Sequence, residues 1–142
     1  MSIILKRRTV AFALTLCVTL VPFTASAQAT FPDKCKADMS MPGDMPMGRD
    51  MAMENMTDDQ KEQMSGMQEM NRNMMQGMMK DDPDVSFACA MIAHHMGALH
   101  MAETELEHGD NEEMKAEAQK VLVEQTKEIE TLTSWVEKEV KE

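Results

Sequence analysis

Between residues 84 and 106 the apolar positions recur every three or four residues, which is the period of a helix rather than a strand. With each residue placed about 100° from the last, Phe87, Met91, His95, Ala98, Ala102 and Leu106 form one stripe, read as core-facing, with His94 and Met101 along its border. Cys89, Met96 and His100 gather near the opposite side. Asp82-Pro83 supplies a cap residue and a proline suited to the first helical position. Gly109 is the stop signal, so the pattern predicts a helix from residue 83 to His108. A second stripe, Met114, Ala118, Val121, Leu122, Ile129, Leu132, Val136 and Val140, predicts another helix. It starts at Asp110 or Asn111, has Glu112 and Glu113 at its positive end, and runs to about Val140. The connection is only a few residues long, so the two helices form an antiparallel hairpin. Gln125 lies near the centre of the second stripe and must bond buried backbone or orient a residue on the facing helix. Left without a partner it would cost on the order of 1 to 3 kcal/mol. Trp135, at the stripe's edge, is read as packing.

Upstream, Thr57-Asp58-Asp59-Gln60 has the form of a capping box with acidic residues in the first turn. The helix it opens is expected to reach about Met79. Its methionines, Met64, Met67, Met70, Met74, Met75, Met78 and Met79, gather on one broad face. Gly66 and Gly77 each lower its intrinsic stability by about 1 kcal/mol relative to Ala, so it is expected to be the least rigid helix. No segment alternates like a strand. The fold class is therefore all-α: a small helical bundle over residues 57–142, made of the hairpin of two long helices plus the Met-rich helix. Residues 28–56, rich in Met, Pro, Gly and Asp and without period, read as a flexible, disordered Met-rich arm. Within it Met39-x-Met41, Met45-x-Met47 and Met51-x-Met53 form a quasi-repeat, followed by Met56. Residues 1–27 read as a signal peptide: Lys6, Arg7 and Arg8, an apolar run from Val10 to Phe23, then Ala25-Ser26-Ala27. That run is short for a membrane span. The mature chain is expected to start at Gln28, in the periplasm, unlipidated and without membrane insertion.

Charge narrows the partners. The chain carries a formal charge of -11, and loss of Lys6, Arg7 and Arg8 with the leader takes it to -14. Nucleic acid and anionic surfaces are repelled and cations attracted. Four Phe, one Trp and no Tyr leave aliphatic and methionine side chains to fill the core. Cys35 and Cys89 remain after cleavage. In an oxidising compartment they form a disulfide if the fold brings them together; the rival reading makes either thiolate a metal ligand.

Nineteen methionines in 142 residues, all but Met1 downstream of the leader, accompany four histidines clustered on one helix. Met91 stands three and four residues before His94 and His95, the spacing at which helical side chains meet. Thioether sulfur selects Cu(I) or Ag(I), while imidazole alone suits Zn or Cu(II) equally. Thioethers also need no deprotonation and are not lost to disulfide formation. The candidate ligands are Met91, His94, His95 and Met101, with Met96 and His100, completed from the first helix by Met67, Met70, Met74 and Met78. Methionine stripes more often serve as core filler, and the weight rests on the coincidence of methionine, histidine and export. Glu105-x-x-His108 is a single Glu-x-x-His, whereas a di-iron bundle needs two and further carboxylates. No nucleophile motif or phosphate loop occurs, so binding rather than catalysis is expected.

The run Asp84-x-x-Phe87-x-x-x-Met91-Ile92-x-His94-His95-x-Gly97-Ala98-x-x-Met101-Ala102, continued by Gly109, Gln125-x-x-Glu128-Ile129 and Trp135, resembles the DUF 305 family of exported bacterial proteins. The resemblance implies a ferritin-like helical fold and, for some members, periplasmic copper binding or copper tolerance. It places ligands at Met91, His94, His95 and Met101. Met96 departs from the family's usual Gln, and Leu132 from a frequent Met. The expected function is sequestration or delivery of Cu(I), with Ag(I) or Cu(II) as alternatives; a copper-transfer partner is the expected recipient in delivery, and a homodimer forming a four-helix arrangement is the expected assembly. The competing expectation is a metal-independent, chaperone-like protein with a Met-rich apolar surface.

Overall fold

The computed structural model describes residues 29–37 and 55–141. The leader, the start at Gln28 and the paired methionines from Met39 to Met53 lie outside the described residues. Three helices follow one another: α1 (Asp58–Met78), α2 (Pro83–His108) and α3 (Glu112–Glu139). All three begin where the capping residues place them. The Asp82 carboxylate accepts from the backbone N–H groups of Asp84 and Val85 at 2.9 and 3.1 Å. Asn111 does the same for Glu113 and Met114 at 3.0 Å, and Gln60 accepts from the Thr57 backbone N–H at 3.0 Å. Each bond satisfies a donor that the first turn of a helix leaves without an internal partner. Gly109 follows the last residue of α2, as expected. Its φ is -66°, so no left-handed cap forms, and the following Asp110 and Asn111 turn the chain directly into the next cap.

Short connections make neighbours antiparallel, and α2 lies between the other two: it packs against both α1 and α3, which share no extensive contact. That position explains the apolar character of α2, which is long and apolar enough to pass as a membrane span by composition. It also corrects the single core stripe. Two rows of α2 are buried, one through Ala88, Ile92, His95, Leu99 and Ala102, the other through Cys89, Ala93, Gly97 and Thr104. Between Val85 and Leu106, what remains exposed is the narrow row Phe87, His94 and Met101, one residue every two turns. Phe87, expected in the core, is 63 % exposed. On α3 the stripe holds, with Ala118, Ile129 and Val136 buried and Leu122, Leu132 and Val140 packed against the core. Met114 at its start is exposed, and Trp135 lies at its edge.

The α1–α2 seam is built from small residues. A Cβ added at Gly77 would lie 2.8 Å from the backbone nitrogen of Ala90 and the carbonyl carbon of Cys89. At Gly66 it would overlap the His100 ring, and at Gly97 the side chain of Met70. The two α1 glycines are thus contact points that let the helices approach, a role that their low helix propensity does not show.

The segment 28–56 is not wholly a free arm. Residues 33–35 form a 3-10 turn, Phe31 and Cys35 are buried, and Cys35 is disulfide-bonded to Cys89 with Cα atoms 5.3 Å apart. Lys34 donates to the backbone carbonyls of Glu137 and Val140, both at 2.8 Å, and pairs with the Glu137 carboxylate at 3.2 Å. A cation on the last carbonyls of α3 suits the negative end of that helix. The described residues hold three long helices, where a ferritin-like bundle has four.

Candidate metal centre

Gly97 lacks a side chain, and Met70 of α1 lies across it. Two small cavities open on either side of this crossing. One, of about 30 Å³, is lined by Gln63, Met67, Met70, Gly97 and Met101. The other, of about 150 Å³, is lined by Met70, Met96 and His100 together with Glu69, Asn73 and Glu103. Met70 and Gly97 are common to both, so five of the ten sequence candidates border this pair of adjoining cavities along the α1–α2 groove. The His100 Nε2 lies 2.8 Å from the backbone oxygen of Glu62. A carbonyl only accepts, so in the neutral ring Nε2 carries the proton and Nδ1 keeps its lone pair. Thr104 in turn donates its hydroxyl to the His100 carbonyl at 3.0 Å, occupying a buried polar group on the same helix face.

The histidine pair sits elsewhere. His95 is only 9 % exposed, on the row of α2 that faces α3. Its Nε2 lies 3.3 Å from a Glu128 carboxylate oxygen, while its Nδ1 is buried without a hydrogen-bond partner. The His94 ring stands edge-on to it, centroids 5.9 Å apart, and is itself exposed. Met91, one turn before His95, is half-buried. Gln125, the polar group expected to need a partner, is half-buried, and it is Glu128 whose carboxylate meets His95 on the facing helix. Met74 packs against the core, and Met78 is exposed near the end of α1; neither lines the groove. The ten candidates therefore divide between the groove, the His95 side of α2, and positions used for packing or left at the surface.

A third constellation escaped the sequence reading. Ligand atoms of Glu62, Glu107 and His108 all lie within 4.8 Å of one another, and His108 Nε2 lies 3.1 Å from Glu62 Oε2. The hydrogen bond from His108 to Glu62, reinforced by the negative charges of Glu107 and Asp59, raises the His108 pKa above the ordinary histidine range. Glu62 and His108 are 46 residues apart, so only the antiparallel pairing of α1 and α2 brings them together. Glu107 and His108 are exposed and Glu62 half-buried, and two carboxylates with one imidazole are of harder character than the groove.

The groove and the histidine side offer thioether sulfur and imidazole nitrogen, which fits soft and borderline ions. Two features of the site favour such cargo: the thioethers of Met67, Met70 and Met101 need no deprotonation, and His95 Nδ1 is a buried nitrogen without a partner. Cys35 and Cys89, bridged to each other, offer no thiolate. Over residues 25–136 the chain matches the family described as a domain of unknown function, DUF305, and belongs to it. No curated protein matches the chain.

Proposed function

Starting from membership of a family without an assigned role, we propose that this protein binds Cu(I) or Ag(I) in the periplasm, sequestering or delivering it, and contributes to copper homeostasis or tolerance. The observation that carries this reading is the convergence of Met67, Met70 and Met101 around Gly97, with Met96 and His100 bordering the adjoining cavity. Three methionines from two helices held by a close crossing lose less side-chain freedom on binding than methionines in an irregular chain. A helix-mounted thioether cluster is therefore the expected tight site. Its affinity depends little on pH, because thioether sulfur carries no proton to displace. The role is binding and not turnover.

The test is a Cu(I) competition titration of the wild type and of a Met67→Leu, Met70→Leu, Met101→Leu variant, whose substitutions keep volume and apolar character. The variant is expected to stay helical, lose at least one equivalent of tightly bound ion, and weaken by about tenfold or more per lost ligand at the groove. Unchanged stoichiometry and affinity would overturn the assignment.

A second reading rests on the exposed apolar side chains Phe87, Met67, Met75, Met78, Met79 and Met101, which form an adaptable surface for unfolded chains. Client binding that is unaffected by a Cu(I) chelator would favour it.

A further inference from the structure

The groove leaves the best-buried histidine unused. His95 projects from the opposite row of α2, and its two nitrogens have different surroundings. Nε2 lies 3.3 Å from Glu128 Oε2 on α3. Nδ1 has no partner and no solvent contact. An ionised carboxylate only accepts hydrogen bonds, so a proton on Nε2 faces an acceptor 3.3 Å away, whereas an Nε2 lone pair would face the carboxylate's negative charge, and the contact favours the Nε2–H tautomer. The lone pair of the neutral ring is then confined to Nδ1, inside the protein.

Buried polar atoms in folded proteins are nearly always paired, and an unpaired one calls for an explanation. Metal-binding histidines have this arrangement: one nitrogen donates to a carboxylate, which fixes tautomer and ring orientation and makes the other nitrogen a better donor. Near His95 are Met91, one turn earlier and half-buried, and the His94 ring at 5.9 Å. Together they provide a thioether and a second imidazole. Glu128 itself is more than half exposed, so its charge is kept hydrated and the pair carries no buried, uncompensated carboxylate.

We propose that Glu128 is a positioning residue for metal: by accepting the His95 Nε2–H it holds the ring in the tautomer that presents Nδ1 as the donor atom to Cu(I), with Met91 and His94 completing an imidazole-based site separate from the groove. This rests on the soft-metal reading above, and on nothing in the groove itself. Of the two sites, the His95 site requires a defined tautomer, and the thioether groove does not. Loss of Glu128 therefore acts on one site and spares the other.

The experiment has two readouts. Long-range nitrogen–proton NMR of the metal-free, nitrogen-15-labelled protein reports which His95 nitrogen carries the proton. Cu(I) competition titration then compares wild type, Glu128→Gln, Glu128→Ala and His95→Ala, each checked for helicity. The wild type is expected to show the Nε2–H form. Glu128→Ala is expected to show a tautomer mixture and a 10- to 100-fold weaker affinity at this site, with the groove equivalent unchanged. Glu128→Gln, whose amide oxygen still accepts, restores the tautomer and part of the affinity. A wild type that binds no Cu(I) overturns the soft-metal reading. A metal-free His95 protonated on Nδ1, or a Glu128→Ala variant that binds as tightly as wild type while His95→Ala does not, overturns the role of Glu128.

Discussion

At Gly77 a methyl group would press on the backbone of Cys89 and Ala90, and backbone atoms in the middle of a packed helix have little room to retreat. Propensity alone assigns Gly77→Ala a gain of about 1 kcal/mol. Overpacking a close helix crossing costs on the order of 1 to 3 kcal/mol. The variant is therefore expected to be less stable than wild type, and its urea midpoint checks this; a midpoint that rises would mean the crossing can relax. The sequence shows Gly66 and Gly77 as weak helix formers because propensity is a local property. The partners that need their smallness, His100 and Cys89, sit on another helix and are invisible to it. The same limit applies to the polar residues of α3. Gln125 drew attention because it lies at the centre of an apolar stripe, whereas Glu128 looks like ordinary surface charge until His95 is found opposite it.

Among the elements, the helix ends were legible and the helix faces less so. Asp82, Asn111 and Thr57 act within three residues of themselves, so their caps follow from sequence alone. A helix packed on two sides instead buries a wide arc, and a wheel drawn for one stripe centres it wrongly. This has a measurable consequence on α2. Ile92→Ala is expected to cost about 2 to 5 kcal/mol, while Phe87→Ser, at a position expected in the core but exposed in the fold, should stay within about 0.5 kcal/mol of wild type. Equal losses at the two positions would contradict the arrangement. The pairing of α1 with the end of α2 adds a pH term. The His108 pKa is raised by Glu62, so its contribution is fully present below the unfolded histidine value of about 6.5 and is lost as pH rises through the raised value. Comparing denaturation midpoints of wild type and His108→Gln should therefore show a gap in mildly acidic buffer that closes in alkaline buffer. A gap that is constant across that range would show that the pair does not titrate with folding.

For the molecule as a whole, the Cys35–Cys89 bridge joins the segment before α1 to the start of α2 across 54 residues of sequence. In the chain-entropy model such a closure contributes roughly 4 kcal/mol, with measured effects of native bridges commonly about 2 to 5. A Cys35→Ala, Cys89→Ala variant is expected to unfold at a clearly lower urea concentration while keeping its helical spectrum at low denaturant; an unchanged midpoint would mean that Phe31 and the Lys34 contacts hold the segment without it. The number of cysteines made this bridge conceivable, but its competitor, a thiolate ligand, could be set aside only once the fold brought the two residues together. The bridge also bears on any test of the proposed copper binding. Cu(I) is kept reduced in solution by an added reductant, and a thiol reductant would open this bridge, releasing two sulfurs that bind the ion more strongly than any thioether. Such an assay would report a tight site that the oxidised protein does not possess. An ascorbate-buffered titration leaves the bridge closed, so the difference between the two assays measures how far the reagent, and not the protein, sets the apparent affinity.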